Sequence, residues 1–132
     1  MSMSSTAHSI GISRLGQVHI PAQDTERATA FYRDVLGLPL LFTAGNLAFF
    51  DCGGVRLMIS RPEGMGEQKP GSILYFAVPD ISAAHQKMRD AGVKFEADPH
   101  KIAEMPTHDL WMTFFRDSED NLVALMSEVP RA

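Results

Sequence analysis

Alternation with period two marks the first element of the chain. From Leu15 to Ile20, Leu15, Gln17 and His19 share one face while Gly16, Val18 and Ile20 share the other, which predicts a strand that Pro21 stops. The period then changes. Ala28, Phe31, Tyr32 and Val35 fall at helical spacing behind Asp24, an N-cap residue, and Gly37 is placed to close the helix. Three short strands follow, around Leu40–Phe42, Leu47–Asp51 and Val55–Ser60, the last two joined by the tight-turn signal Cys52-Gly53-Gly54. Residues Arg61 to Gly71 are rich in Gly, Pro and charge and read as a linker. The same order then returns: a strand at Ser72–Val78, a helix capped by Asp80 and closed by Gly92, a strand at Val93–Glu96, and a final hairpin of Trp111–Arg116 and Leu122–Ser127.

The two halves also match in letters. Asp24-Thr-Glu-Arg-Ala28 with Arg33-Asp34 is echoed 56 residues later by Asp80-Ile-Ser-Ala-Ala84 with Arg89-Asp90, and Gly37 by Gly92, 55 residues on. Val55–Ser60 is echoed by Leu122–Ser127, 67 residues later. One supersecondary unit is used twice. The expected architecture is α+β: a flexible tail at 1–13, a βαβββ module at 14–62, a linker at 63–71 and a second βαβββ module at 72–129. The second copy carries an insert near 99–110, which holds His100, Met105, His108 and Asp109. It reads either as a functional loop or as a spacer over the sheet edge.

Composition narrows the function. At 132 residues, 45% of them hydrophobic, the chain suits one compact domain of two fused halves. A net charge of −4 without a Lys/Arg cluster argues against nucleic acid as a partner. No apolar run approaches the roughly 18 residues that span a bilayer, and the polar start lacks the layout of a signal peptide. Cys52 is the single cysteine, which excludes an internal disulfide and fits a cytoplasmic setting. With no basic neighbour to lower its pKa, Cys52 is expected to be incidental rather than nucleophilic.

The strand-helix-strand-strand-strand unit used twice, the phrase Ala30-Phe-Tyr-Arg-Asp-Val-Leu-Gly-Leu38 and the ending Phe114-Phe-Arg-Asp-Ser-Glu-Asp-Asn-Leu-Val-Ala-Leu resemble the vicinal oxygen chelate superfamily. That group includes glyoxalase I, extradiol dioxygenases, methylmalonyl-CoA epimerase and the fosfomycin- and bleomycin-resistance proteins. The resemblance runs from residue 14 to 129 and implies a cup-shaped sheet. In the family's enzymes each module supplies a His or Gln from its first strand and a Glu from its last to a divalent metal. Counted back seven residues from Asp24 and Asp80, the first-strand positions here are Gln17 and Ile73, and the closing strands place Leu57 and Ala124 at the Glu positions. Leu57, Ile73 and Ala124 offer no lone pair. Nor do their neighbours Arg56, Met58, Ser72, Leu74, Val123 and Leu125 bring a carboxylate or imidazole. The expectation is therefore no metal and no other cofactor.

Other groups are placed near the cup. His19 shares a face with Gln17 and reads as a general base or as a satisfied, partly buried histidine. Tyr75 alternates with Ile73, and Met126 with Ala124. His108-Asp109 suits proton transfer only if the carboxylate orients the imidazole, and otherwise reads as solvated loop. Trp111 fits a pocket wall, a subunit interface or core packing equally. The expected function is binding of a small organic molecule in a metal-free, largely apolar cup lined by Gln17, His19, Leu57, Ile73, Tyr75, Trp111, Ala124 and Met126, in a homodimer that covers the open sheet edges. The alternatives are a metal-dependent lyase, isomerase or dioxygenase with displaced ligands such as His19 and His108, and an antibiotic-sequestering protein with an acidic dimer groove.

Overall fold

The computed structural model describes residues 10–11, 14–61 and 72–131. Most of the expected tail 1–13 and all of the linker 63–71 lie outside them. The elements run β1 (Gln17–Pro21), α1 (Thr25–Ala30), β2 (Leu40–Ala44), β3 (Leu47–Cys52), β4 (Val55–Ser60), β5 (Leu74–Ala77), α2 (Ile81–Asp90), β6 (His100–Glu104), β7 (His108–Arg116) and β8 (Leu122–Pro130). Two four-stranded sheets result, ordered β1-β4-β3-β2 and β5-β8-β7-β6, each with one parallel pair at its start. These are the two tandem βαβββ modules.

The caps are those the sequence predicts. Asp24 accepts from the Arg27 amide at 3.0 Å and Asp80 from the Ala83 amide at 3.1 Å, so each helix start has one orphan donor satisfied by the same residue type. Gly37 and Gly92 take positive φ, 75° and 93°, where the chain leaves each helix and a side chain would be strained. Unlike α2, α1 does not end in α geometry. It widens into a π-type turn over Phe31–Val35, in which the Leu36 amide reaches the Phe31 carbonyl.

α1 packs on β3 and β4, and α2 on β7 and β8, so each sheet has one helix-covered face and one open face. Under α1 the core holds Ile20, Ala28, Tyr32, Phe50, Leu57 and Ile59. Under α2 it holds Ile81, Met88, Phe115, Val123 and Leu125. Phe31, Leu36 and Phe76 touch both clusters and join them into one apolar interior.

The second module departs from its predicted outline. Val93–Glu96 is not a strand but contains one isolated bridge, Phe95 to Phe115. The strand that takes its place is β6, inside the expected insert. Residues 99–110 are therefore neither loop nor spacer: they form β6 and the first part of β7, joined by a tight connection in which the Met105 amide bonds to the His108 carbonyl at 2.8 Å. Pairing with β8 extends to Pro130, and this long ladder recruits residues whose own pattern was too polar to predict a strand.

Candidate functional site

Strand register decides which side chains share the open face. In β1 and β4, Gln17 pairs with Arg56, Val18 with Leu57 and His19 with Met58. In β5 and β8, Leu74 pairs with Val123, Tyr75 with Ala124 and Ala77 with Met126. The Ala22 amide bonds to the Ser60 carbonyl just as the Val78 amide bonds to that of Met126. Ser60 thus corresponds to Met126, and Met58 to Ala124. The echo between Val55–Ser60 and Leu122–Ser127 is one residue out of step with the structure.

That slip corrects the expectation for Leu57. It is 2% exposed and sits under α1 with Ile20 and Tyr32, not in the cup. Successive residues of a strand point to opposite faces, so an error of one residue inverts the assignment. Ala124, in contrast, lies on the open face. It is buried there beneath Tyr75 and Phe114, whose rings meet edge to face at 5.9 Å. Ile73 stands one residue ahead of β5, outside the ladder.

The insert residues also separate. His108 and Asp109 are consecutive in β7 and therefore project from opposite faces, so Asp109 does not orient the His108 imidazole. His108 lies 3.7 Å from Glu128, while Asp109 pairs with Arg131. Trp111 packs against the α2 core, the third of its expected roles, and does not wall the open face. His100 begins β6. His85, on α2, is buried against Phe95.

On the first sheet Gln17 and His19 share the open face with Arg56, Met58 and Phe49, which the sequence did not single out as site residues. The Arg56 Nε donates to Gln17 Oε1 at 2.7 Å, and the Gln17 amide nitrogen approaches the Met58 sulfur at 3.7 Å. The Arg56 guanidinium lies 5.2 Å from the centre of the Phe49 ring, and Phe49 stacks on Phe42 at 4.5 Å. His19 Nε2 is 2.7 Å from the Ser60 hydroxyl. A cleft of about 480 Å³ opens at one end of this face, lined by Arg14, Gly16, Gln17, Gly54 and Arg56. A second, of about 340 Å³, lies between α1 and the β2–β3 turn. Neither includes Tyr75, Ala124 or Met126. The signal for Arg56 was present: in β4, Leu57 and Ile59 supply the apolar alternation, which leaves Arg56 and Met58 for the other face.

The description Glyoxalase/Bleomycin resistance protein/Dioxygenase superfamily matches residues 14–126. The chain belongs to this superfamily. A relative in Bacillus subtilis (strain 168), described as uncharacterized protein YraH, is 27% identical over 126 residues, which span 85% of this chain and 96% of the relative. Among solved structures, a member of the same superfamily from Sphaerobacter thermophilus DSM 20745 superposes with a TM-score of 0.75 at 23% identity, covering 89% of this chain and 98% of that one. Lactoylglutathione lyase from Agrobacterium tumefaciens superposes with a TM-score of 0.67 at 21% identity, covering 89% and 95%. At these identities the superpositions establish the fold of the superfamily and nothing about reaction.

The donor set does not fit the divalent metal that the superfamily's enzymes use. Of the residues on the two open faces, Gln17 is the first-strand donor, and its amide oxygen already accepts from a guanidinium. A cation placed there would meet the fixed positive charge of Arg56. The closing-strand position of the first module is Met58, and across the second module the corresponding positions are Ile73 and Ala124. Among the described residues no three His, Cys, Asp or Glu side chains converge.

Proposed function

We propose that this superfamily member binds a small organic molecule on its open face without a metal. The observation that supports the reading is an aromatic and thioether surface on the open face, Phe42 stacked on Phe49 beside Met58 and, in the second module, Tyr75 over Ala124 with Met126 alongside. Such a surface takes up apolar area, and the polar groups at its edge orient the ligand. The protein acts as a homodimer. Leu41 and Ile102 on the outer strands β2 and β6 are 51% and 47% exposed, and a second copy covers such edges at little cost. No helix among the described residues is long and apolar enough to cross a membrane, and the reading places the protein in the cytoplasm.

Elemental analysis of protein purified without chelator, alongside a ligand screen by calorimetry, tests this. Binding of apolar small molecules by protein with far less than one metal per chain is the expected result. A full equivalent of iron, manganese, nickel or zinc, required for binding, sinks the reading.

A second reading rests on the contact between His19 and Ser60. A hydroxyl 2.7 Å from an imidazole is a proton-transfer pair on the same face. It predicts turnover lost in His19→Ala with ligand binding retained.

A further inference from the structure

We infer that the cleft between Arg14 and Arg56 is a binding site for the carboxylate of a small aromatic acid, an inference that rests on the metal-independent reading above and names its ligand class.

Arg56 is oriented before any ligand arrives. Its Nε is spent on Gln17 and its guanidinium lies over the Phe49 ring, two contacts that aim an otherwise exposed side chain. Its two terminal nitrogens have no hydrogen-bond acceptor among the described residues, and they form a planar fork matched to a carboxylate. Arg14 is held on the opposite wall, its Nη1 donating weakly to the Leu15 and Gly54 carbonyls at 3.3 and 3.4 Å. Of the other arginines, Arg27, Arg33, Arg116 and Arg131 each have a carboxylate within 4 Å, while Arg61 and Arg89 have none among the described residues but do not line this cleft. Arg14 and Arg56 have none among the described residues. In a chain of net charge −4, two guanidiniums left together in one cleft form a local positive field in an acidic protein.

The field is modest, which sets the charge of the ligand. Asp51 stands opposite Arg56 in the β3–β4 ladder, its Oδ1 accepting from the Gly54 amide at 3.3 Å. Two positive charges with one negative neighbour suit a monoanion better than a phosphate dianion. The rest of the ligand is set by the wall beside the fork. Phe42 and Met58, packed around the buried Phe49, continue the surface away from Arg56, so a ligand anchored by its carboxylate lays an apolar ring along Phe42 and Met58. In physical terms the Arg56 charge stands beside Gln17 and holds an anionic oxygen directly.

Calorimetric titration of the full chain with benzoate, benzyl alcohol and inorganic phosphate separates charge from ring. The expected result is saturable benzoate binding, weaker benzyl alcohol and still weaker phosphate, with benzoate affinity falling about tenfold or more in Arg56→Gln and in Arg14→Gln, the size of a lost charge-assisted pair. Arg56→Lys, which keeps the charge but not the fork, should recover part of the loss. Unchanged circular dichroism and melting temperature will show that these exposed substitutions leave the fold intact. Benzyl alcohol binding as tightly as benzoate, with Arg56→Gln indifferent to both, overturns the carboxylate site and leaves the apolar face standing. Phosphate binding as tightly as benzoate overturns the choice of an aromatic acid. Binding of none of the three overturns both the site and the reading on which it rests.

Discussion

The Tyr32 hydroxyl donates a 2.8 Å hydrogen bond to the carboxylate of Asp117, 85 positions further along the chain, and both groups are buried. Asp117 is saturated by this bond together with the amides of Glu119 and Asn121 and the Asn121 side chain, which also donates to the Pro21 carbonyl at 3.1 Å. Glu119, in the same turn, accepts from the Gln23 amide and from Arg27 at the start of α1. The β7–β8 turn of the second module is thereby fastened to the helix of the first. The π-type turn at Phe31–Val35 lies where Tyr32 enters this contact.

Removing the phenol leaves Asp117 short of a donor in a dry place. Tyr32→Phe should lower stability by about 1–3 kcal/mol, the cost of stranding a buried polar group. A double-mutant cycle with Asp117→Asn, read by urea denaturation, should give a coupling of about 1 kcal/mol or more. Coupling near zero would show that the modules are held by apolar contacts alone.

The same contact makes stability fall at high pH. Burial, and then the Asp117 charge and hydrogen bond, push the Tyr32 phenol well above its ordinary value of 10.0. Above about pH 10 the unfolded chain releases this proton and the folded chain does not, so folding loses about 1.4 kcal/mol per pH unit from this group. Below that pH the contribution is fully present. Melting temperatures from pH 8 to 11 should fall more steeply for the wild type than for Tyr32→Phe. Parallel curves would contradict this assignment.

Register makes a prediction of its own. Leu57→Ala opens a cavity under α1 and should cost about 2–5 kcal/mol in chemical denaturation. Met58→Ala, one residue on and facing outward, should cost much less while weakening ligand binding. The reverse order would mean that β4 presents its other face to the helix.

Cys52 should be a sluggish thiol. Its pKa is raised by burial and then by the neighbouring Asp51 carboxylate, so little thiolate exists near neutrality. Alkylation at pH 8 should be slower than that of a small free thiol and should quicken in Asp51→Asn. Rapid modification of the folded wild type would show the side chain to be open.

Asp109 is a fastener and not a proton-transfer partner. Asp109→Asn removes the ion pair to Arg131 and should cost about 1 kcal/mol or less, while hydrogen exchange rises at the end of β8. A pH-dependent change in ligand chemistry in this variant would restore it to the site.

Much of the fold was legible because it is written locally. Asp24 and Asp80 cap helices, Gly37 and Gly92 end them, and Cys52-Gly53-Gly54 turns a hairpin, each through contacts within a few residues. β6 was missed because His100–Glu104 has no alternation of its own and becomes a strand by pairing with β7. At the site, Gln17, His19, Tyr75, Ala124 and Met126 lie on open faces, as the alternation of their strands indicates. Arg56 and Arg14 were passed over because their importance comes from Gln17, Phe49 and Gly54, which meet them only across strands or turns.

The sequence by itself determined the duplicated βαβββ plan and the superfamily, since these depend on residue type and short-range order. The tertiary structure alone decided which face each closing strand turns to the helix. It moved Leu57 into the core, sent His108 and Asp109 apart and brought Arg56 against Gln17. The reason is physical. Alternation marks two faces but does not say which is inside, and that choice is made by pairing with strands some forty residues away, where a shift of one position inverts every side chain.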